Sequence, residues 1–234
     1  MPDFSPAELA AIALSLKVAC VAALASLPFG IALAWLLARR RFPGKALLDA
    51  LVHLPLVLPP VVVGYALLVV FGSQGAVGAF LAEHLGISFA FRWTGAALAS
   101  AIMGFPLMVR AIRLSIESVD RRLEHAAATL GASPWRVFAT VTVPLAWPGI
   151  VAGGVLAFAK ALGEFGATIT FVSNIPGETQ TISSAIYELM QVPGGELGIW
   201  RMAMVAVAIS LLALLASEWL VRRQHGRRDG GDEA

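Results

Sequence analysis

Two charged residues four positions apart, Lys160 and Glu164, sit in an otherwise apolar tract running from Val137 to Gly177. An ammonium and a carboxylate at i and i+4 share one helix face and can neutralise each other. Either charge alone inside a bilayer costs about 2.5–3.5 kcal/mol on insertion scales, and such residues face a bundle interior or water. The pair therefore either locks helix packing or lines a pathway. Lys17, inside another apolar run, reads as a side chain snorkelling toward the outer surface. His53 reads as an interfacial residue rather than a proton relay. Cys20 is the one cysteine, so no internal disulfide forms, and its apolar surroundings suggest a buried thiol packing as a small hydrophobe. The sequence shows no metal-ligand cluster, no nucleophile beside a base, and no Gly-x-x-x-x-Gly-Lys-Ser/Thr phosphate loop. It names no catalytic residue and no metal or cofactor held by this chain.

The elements that carry these residues are membrane spans. Of 234 residues, 58% are hydrophobic and 14% charged, with a mean hydropathy of +0.79. A soluble domain would carry about 25% charged residues. Runs near the ~20 apolar residues needed to cross a bilayer occur at Leu9–Ala38, Leu47–Phe71, Trp93–Val109, within Val137–Gly177, and at Met202–Val221. None alternates with strand period, so these are helices rather than barrel strands. The fold class is an all-α integral membrane bundle of about five transmembrane helices. One domain is expected over residues 7–221, followed by a disordered cytoplasmic tail over 222–234. Met1 to Glu8 lacks a basic n-region and the first run is too long for a signal peptide, so it is expected to remain as a span.

Most of the seventeen lysines and arginines fall after odd-numbered spans. Arg39, Arg40, Arg41 and Lys45 follow the first; Arg110, Arg113, Arg121, Arg122 and Arg136 the third; Arg222, Arg223, Arg227 and Arg228 the fifth. Arg92 and Arg201 fall on the opposite side. Positive residues stay cytoplasmic, which places the N-terminus outside and the C-terminus inside. The basic clusters are topology signals, and a nucleic-acid partner is excluded. Pro28, Pro55, Pro59, Pro60 and Pro106 lie within spans, several beside Gly30, Gly64 or Gly104. They are either packing kinks or bends around a pathway. Gln180 to Val192 reads as a short amphipathic helix with Ile182, Ile186 and Leu189 on one face.

The basic loop between spans three and four holds a second pattern. Glu124 to Leu130 is a short Ala-rich helix, Gly131 supplies the left-handed residue that ends it, and Ser133-Pro134 restarts a helix as N-cap and first residue. From His125 to Pro144 this loop resembles the EAA loop of ABC-importer permeases. Ala126 and Ala127 match its alanines, Gly131 its glycine and Pro144 its proline, at the family spacing. His125 stands where the family usually has Glu, with Glu124 adjacent, and Val141 and Val143 replace Ile and Leu. Leu54-Pro55-Leu56-Val57-Leu58-Pro59-Pro60-Val61-Val62-Val63-Gly64-Tyr65 resembles the second span of molybdate permeases. Ala161-Leu162-Gly163-Glu164-Phe165-Gly166-Ala167-Thr168, with Asn174-Ile175-Pro176-Gly177-Glu178-Thr179-Gln180-Thr181, resembles the same permeases and the related sulfate permeases. The likeness covers roughly Ala7 to Leu220.

The resemblance implies a permease subunit of an inner-membrane importer for molybdate. It also implies a homodimer in membrane lipid, two cytoplasmic ATPase subunits holding ATP and magnesium, and an external molybdate-binding protein. The loop residues Glu124, His125, Ala126, Ala127, Gly131, Ser133, Pro134 and Pro144 would couple to the ATPase. Lys160, Gly163, Glu164, Gly166 and Thr168 would line or gate the anion path, Lys160 tempering the potential for a dianion while Gly163 and Gly166 let backbones close. The pair as a packing lock stays open beside that reading. A permease for sulfate, thiosulfate or tungstate is the alternative, and a stand-alone secondary transporter a more distant one. Charge asymmetry predicts that a reporter fused after Arg228 lies in the cytoplasm and one inserted near Ser88 outside. Finding both on one side in an accessibility assay contradicts the five-span arrangement.

Overall fold

The computed structural model describes residues 4–229, residues 222–229 as backbone alone. Among them there is no strand. Helix α1 (Pro6–Arg39) begins in a capping box, with the Ser5 hydroxyl accepting from Glu8 N–H and the Glu8 carboxylate accepting from Ser5 N–H. The next long helices are α5 (Trp93–Ser118) and α8 (Val143–Leu162). These three pack on one another and form the centre. Their shared faces are small: Ala23, Ala34 and Ala38 of α1, and Ala146 and Ala157 of α8, meet Met108, Val109, Ile112 and Ile116 of α5. In lipid there is little hydrophobic gain in bringing helices together, so close approach through small residues supplies the contact.

The second run is not one straight span. It breaks into α2 (Lys45–Val57) and α3 (Pro60–Phe71), bent by 112°. Leu58 and Pro59 both hold extended backbone angles, as residues preceding a proline favour. A short helix α4 (Ala76–Leu85), absent from the sequence reading, follows. Helix α5 exceeds its expected end at Val109 and carries Arg110 and Arg113 within it, because Ile112 and Ile116 are buried on its inner face.

The loop helices α6 (Arg121–Thr129) and α7 (Pro134–Val137) lead into a π-helical turn, Phe138–Thr142, and then α8. Pro144 lacks the amide hydrogen an α-helix would direct at the Thr140 carbonyl. The ladder widens just before it, with Val143 N–H donating to Phe138 O. The fourth span thus starts at Pro134 and ends at Leu162. After a break, α9 (Gly166–Val172) packs on α3 and α5. Gly64 makes the α3–α9 approach possible: a Cβ there would lie 2.5 Å from the Ala167 carbonyl oxygen. Helix α10 (Ile182–Leu189) matches the expected amphipathic segment, with Ile182 buried and Ile186 and Leu189 packed around it.

Helix α11 (Glu196–Asp229) lies at the periphery and leaves Leu197, Trp200, Leu211, Leu215 and Trp219 exposed, a face suited to lipid. It continues past Val221 through most of the segment expected as a tail without structure, and residues 230–234 lie outside the described residues. Cys20 differs from expectation as well: it is exposed on the outward face of α1, because the inward face is taken by Val18, Ala19, Ala22 and Ala23.

Candidate functional site

Two places bring the sequence-predicted residues together. At the first, α6 is capped by Asp120, whose carboxylate accepts from Arg122 N–H at 2.9 Å. It ends in a pair of bonds of the Schellman kind, Ala132 N–H to Ala127 O and Gly131 N–H to Ala128 O. Gly131 has φ +86°, and a Cβ there would meet nothing, so its requirement is torsional rather than spatial. The Ser133 hydroxyl accepts from Arg136 N–H, and Pro134 starts α7. The result is a rigid knob whose tip is apolar: Leu130 is 89% exposed and Trp135 74%. His125 and Ala126 are exposed on α6, Ala127 is partly covered, and Pro144 is exposed at the start of α8.

Glu124 is placed differently from the sequence reading, in which it could offer an acidic contact to a partner. Its carboxylate turns inward, accepting from Arg39 Nε at 3.1 Å and from the Thr142 hydroxyl at 2.7 Å. Arg39 also donates to Val119 O at 3.0 Å, and Arg121 reaches Ala38 O at 3.4 Å. The sequence contains no signal joining Arg39, Glu124 and Thr142, since the three lie on three elements and Arg39 stands in a run of arginines. A further ionic cluster was also not foreseen. Arg113 of α5 donates to both Asp49 oxygens at 3.0 and 3.1 Å and to Glu117 at 2.8 Å, while the His53 ring lies 2.8 Å from Asp49 O. It pins α2, which buries none of its own residues, to the central helix.

The second place is the break after α8. Lys160 donates to Glu164 at 2.6 Å, so the pair forms. Glu164, however, lies in the interruption between α8 and α9 rather than well inside a helix, because α8 ends at Leu162. Its other oxygen accepts from Ala167 N–H at 3.0 Å and so satisfies a donor freed at the start of α9. The Glu164 side chain is 1% exposed and that of Lys160 29%. Gly166 packs against Pro60, where a Cβ would lie 2.7 Å from that ring, so the two helix breaks abut. Gly163 makes no such approach; a Cβ there would meet only its own helix. Thr168 is buried, its hydroxyl donating back to Phe165 O. Lys17 lies away from both places, its ammonium 3.6 Å from the Trp93 ring centre at the start of α5. Among the described residues, no group of His, Cys, Asp and Glu is assembled to hold a metal.

Comparison with known proteins places this geometry. Residues 26–226 match the family described as the inner-membrane component of binding-protein-dependent transport systems. The chain is 64% identical over 215 residues to the molybdenum transport system permease protein ModB of Escherichia coli (strain K12), covering 92% of this chain and 94% of that one. It is 38% identical over 227 residues to the sulfate transport system permease protein CysT of the same organism, covering 96% and 80%. An inward-facing structure of the MetNI methionine ABC transporter shares the fold, with a TM-score of 0.72 at 16% identity over 92% of this chain and 94% of that one.

The Lys160–Glu164 geometry yields a stability prediction. Lys160→Met strands a buried carboxylate, at a cost of about 3–5 kcal/mol at most, and lowers the thermal midpoint in detergent. Adding Glu164→Gln, which removes the charge and keeps an acceptor for Ala167 N–H, restores part of the loss. A simple exchange of the two residues does not, because an ammonium at 164 cannot accept that bond. Strictly additive single effects would show that the pair does not interact.

Proposed function

The chain belongs to the family of inner-membrane components of binding-protein-dependent transport systems, and on that premise we propose that it imports molybdate as the membrane-spanning subunit of an ATP-driven transporter. The observation that carries the substrate is the 64% identity to a molybdenum permease over nearly the full length of both chains, against 38% to a sulfate permease. Two copies form the pore. Two ATPase subunits bind ATP and magnesium on the cytoplasmic side, and an external binding protein delivers the anion. The N-terminus is outside and the C-terminus inside, an orientation that the distribution of basic residues supports.

Each ATPase subunit receives the knob made by α6, Gly131 and α7. Leu130 and Trp135 suit such docking, because exposed apolar side chains on a polar helical loop have more to gain from a protein groove than from water. The path runs beside the abutting breaks, where the Lys160 side chain stays partly exposed. Discontinuous helices are where transporters place substrate sites, because irregular backbone is tolerated where it lines a cavity. Gly166 and Thr168 hold α9 in place beside that path, and Gly163 gives it a bare backbone surface.

Uptake of labelled molybdate into vesicles carrying the chain, its ATPase and its binding protein tests this reading. Uptake that requires ATP and resists a large excess of sulfate supports it; uptake without the ATPase, or competed away by sulfate, contradicts it. The coupling knob has its own test. Gly131→Val costs roughly 1–2 kcal/mol in the left-handed conformation. It is expected to reduce ATPase co-purification and uptake by about 5–30-fold at normal membrane levels. Full binding and full uptake in that variant remove the coupling assignment.

A further inference from the structure

Helix α6 buries none of its residues. Beneath it lies a cavity of about 330 Å³ bordered by Trp35, Arg39, Glu124, His125 and Thr142. Apolar packing therefore does not seat α6 on the bundle, whereas α7 is seated by buried Val137 and runs on into the fourth span; a coupling element must move with what it drives. The one group on α6 with bonds to two other elements is Glu124: it accepts from Arg39 at the end of α1 and from Thr142 in the π-helical turn. Arg39 in turn holds the Val119 carbonyl where α5 ends. The Arg39 and Glu124 side chains are 9% and 15% exposed, and Thr142 is buried.

We infer that Arg39, Glu124 and Thr142 are positioning residues that form a strut, carrying displacement of the coupling helix into α1 and the π-helical turn at the head of α8. This rests on the coupling reading above and deepens it: Leu130 and Trp135 bind the ATPase, and Glu124 transmits. The chemistry suits the task. A carboxylate holding one charged and one neutral donor on different elements gives a directional, short link. The π-helical turn is the place in the fourth span where the hydrogen-bond ladder has already changed register, so it can shift without breaking a regular helix.

The strut makes a prediction that a merely structural role does not. Binding and coupling should separate. With the full complex in proteoliposomes, the readouts are ATPase co-purification and molybdate transported per ATP hydrolysed. Glu124→Ala is expected to keep co-purification within about two-fold and to lower the transport ratio about ten-fold. Thr142→Val, nearly isosteric at a buried site, lowers the ratio several-fold, and Thr142→Ser restores it because the hydroxyl returns. That serine–valine contrast decides the matter even where Glu124→Ala reduces membrane levels. A wild-type ratio in Thr142→Val overturns the strut. The coupling reading itself fails separately, by full activity in Gly131→Val; loss there with a normal ratio in Thr142→Val sinks the strut alone.

Discussion

Hydrocarbon offers no hydrogen bonds, so every interruption of a membrane helix has to be answered by the protein itself. This constraint organises the molecule. Where α8 stops, the Glu164 carboxylate takes up the amide of Ala167 while Lys160 balances its charge. At the basic ends of the spans the same service is given beyond the hydrocarbon, where Arg39 takes up the Val119 carbonyl after α5 and Arg121 that of Ala38 near the end of α1. Where Pro144 withdraws a donor, the ladder widens into a π-helical turn. The charged residues of this chain are few, and several of its best-buried ones are spent on these ends.

The interruptions also divide the bundle into parts with different freedom. Helices α1, α5 and α8 interlock through alanines and buried Met108, Ile112 and Ile116, and close packing of that kind resists continuous deformation. The broken helices differ in how they are held. Helix α2 buries none of its residues and rests on α5 through the Arg113–Asp49 pair, whereas α9 is seated by buried Ala167, Phe171 and Val172 against α3 and α5. Outside them, α11 turns its large side chains outward. In the transport reading, a rigid centre receives motion from the coupling knob, and the light seat of α2 is where a path can open and close.

Much of this was legible in the sequence. Span existence follows from apolar runs, and the loop helices from Gly131 and Ser133-Pro134, because local backbone chemistry decides them. The Lys160–Glu164 pair followed from spacing, although the location of Glu164 in a break did not: Gly163 tolerates either continuation or a stop. The bend at Pro59 was visible as prolines, but its 112° angle depends on α3 finding α9, a contact distant in sequence. Cys20 was misplaced because an apolar run in a membrane helix does not reveal which face meets lipid. Arg39 and Thr142 carried no signal at all. A basic residue at a helix end reads as topology, and a threonine two residues before a proline reads as filler, until the fold brings both to one carboxylate.

The central claim is that the coupling loop is joined to the bundle as one body. Pulsed electron resonance between spin labels at exposed Arg122 of α6 and at exposed Ala32 of α1, with Cys20 first replaced by serine, measures this in the assembled complex with and without ATP. The account predicts that this distance stays constant while the distance between the Arg122 labels of the two copies changes with nucleotide. An Arg122–Ala32 distance that shifts on ATP binding, with α1 left behind, would contradict it.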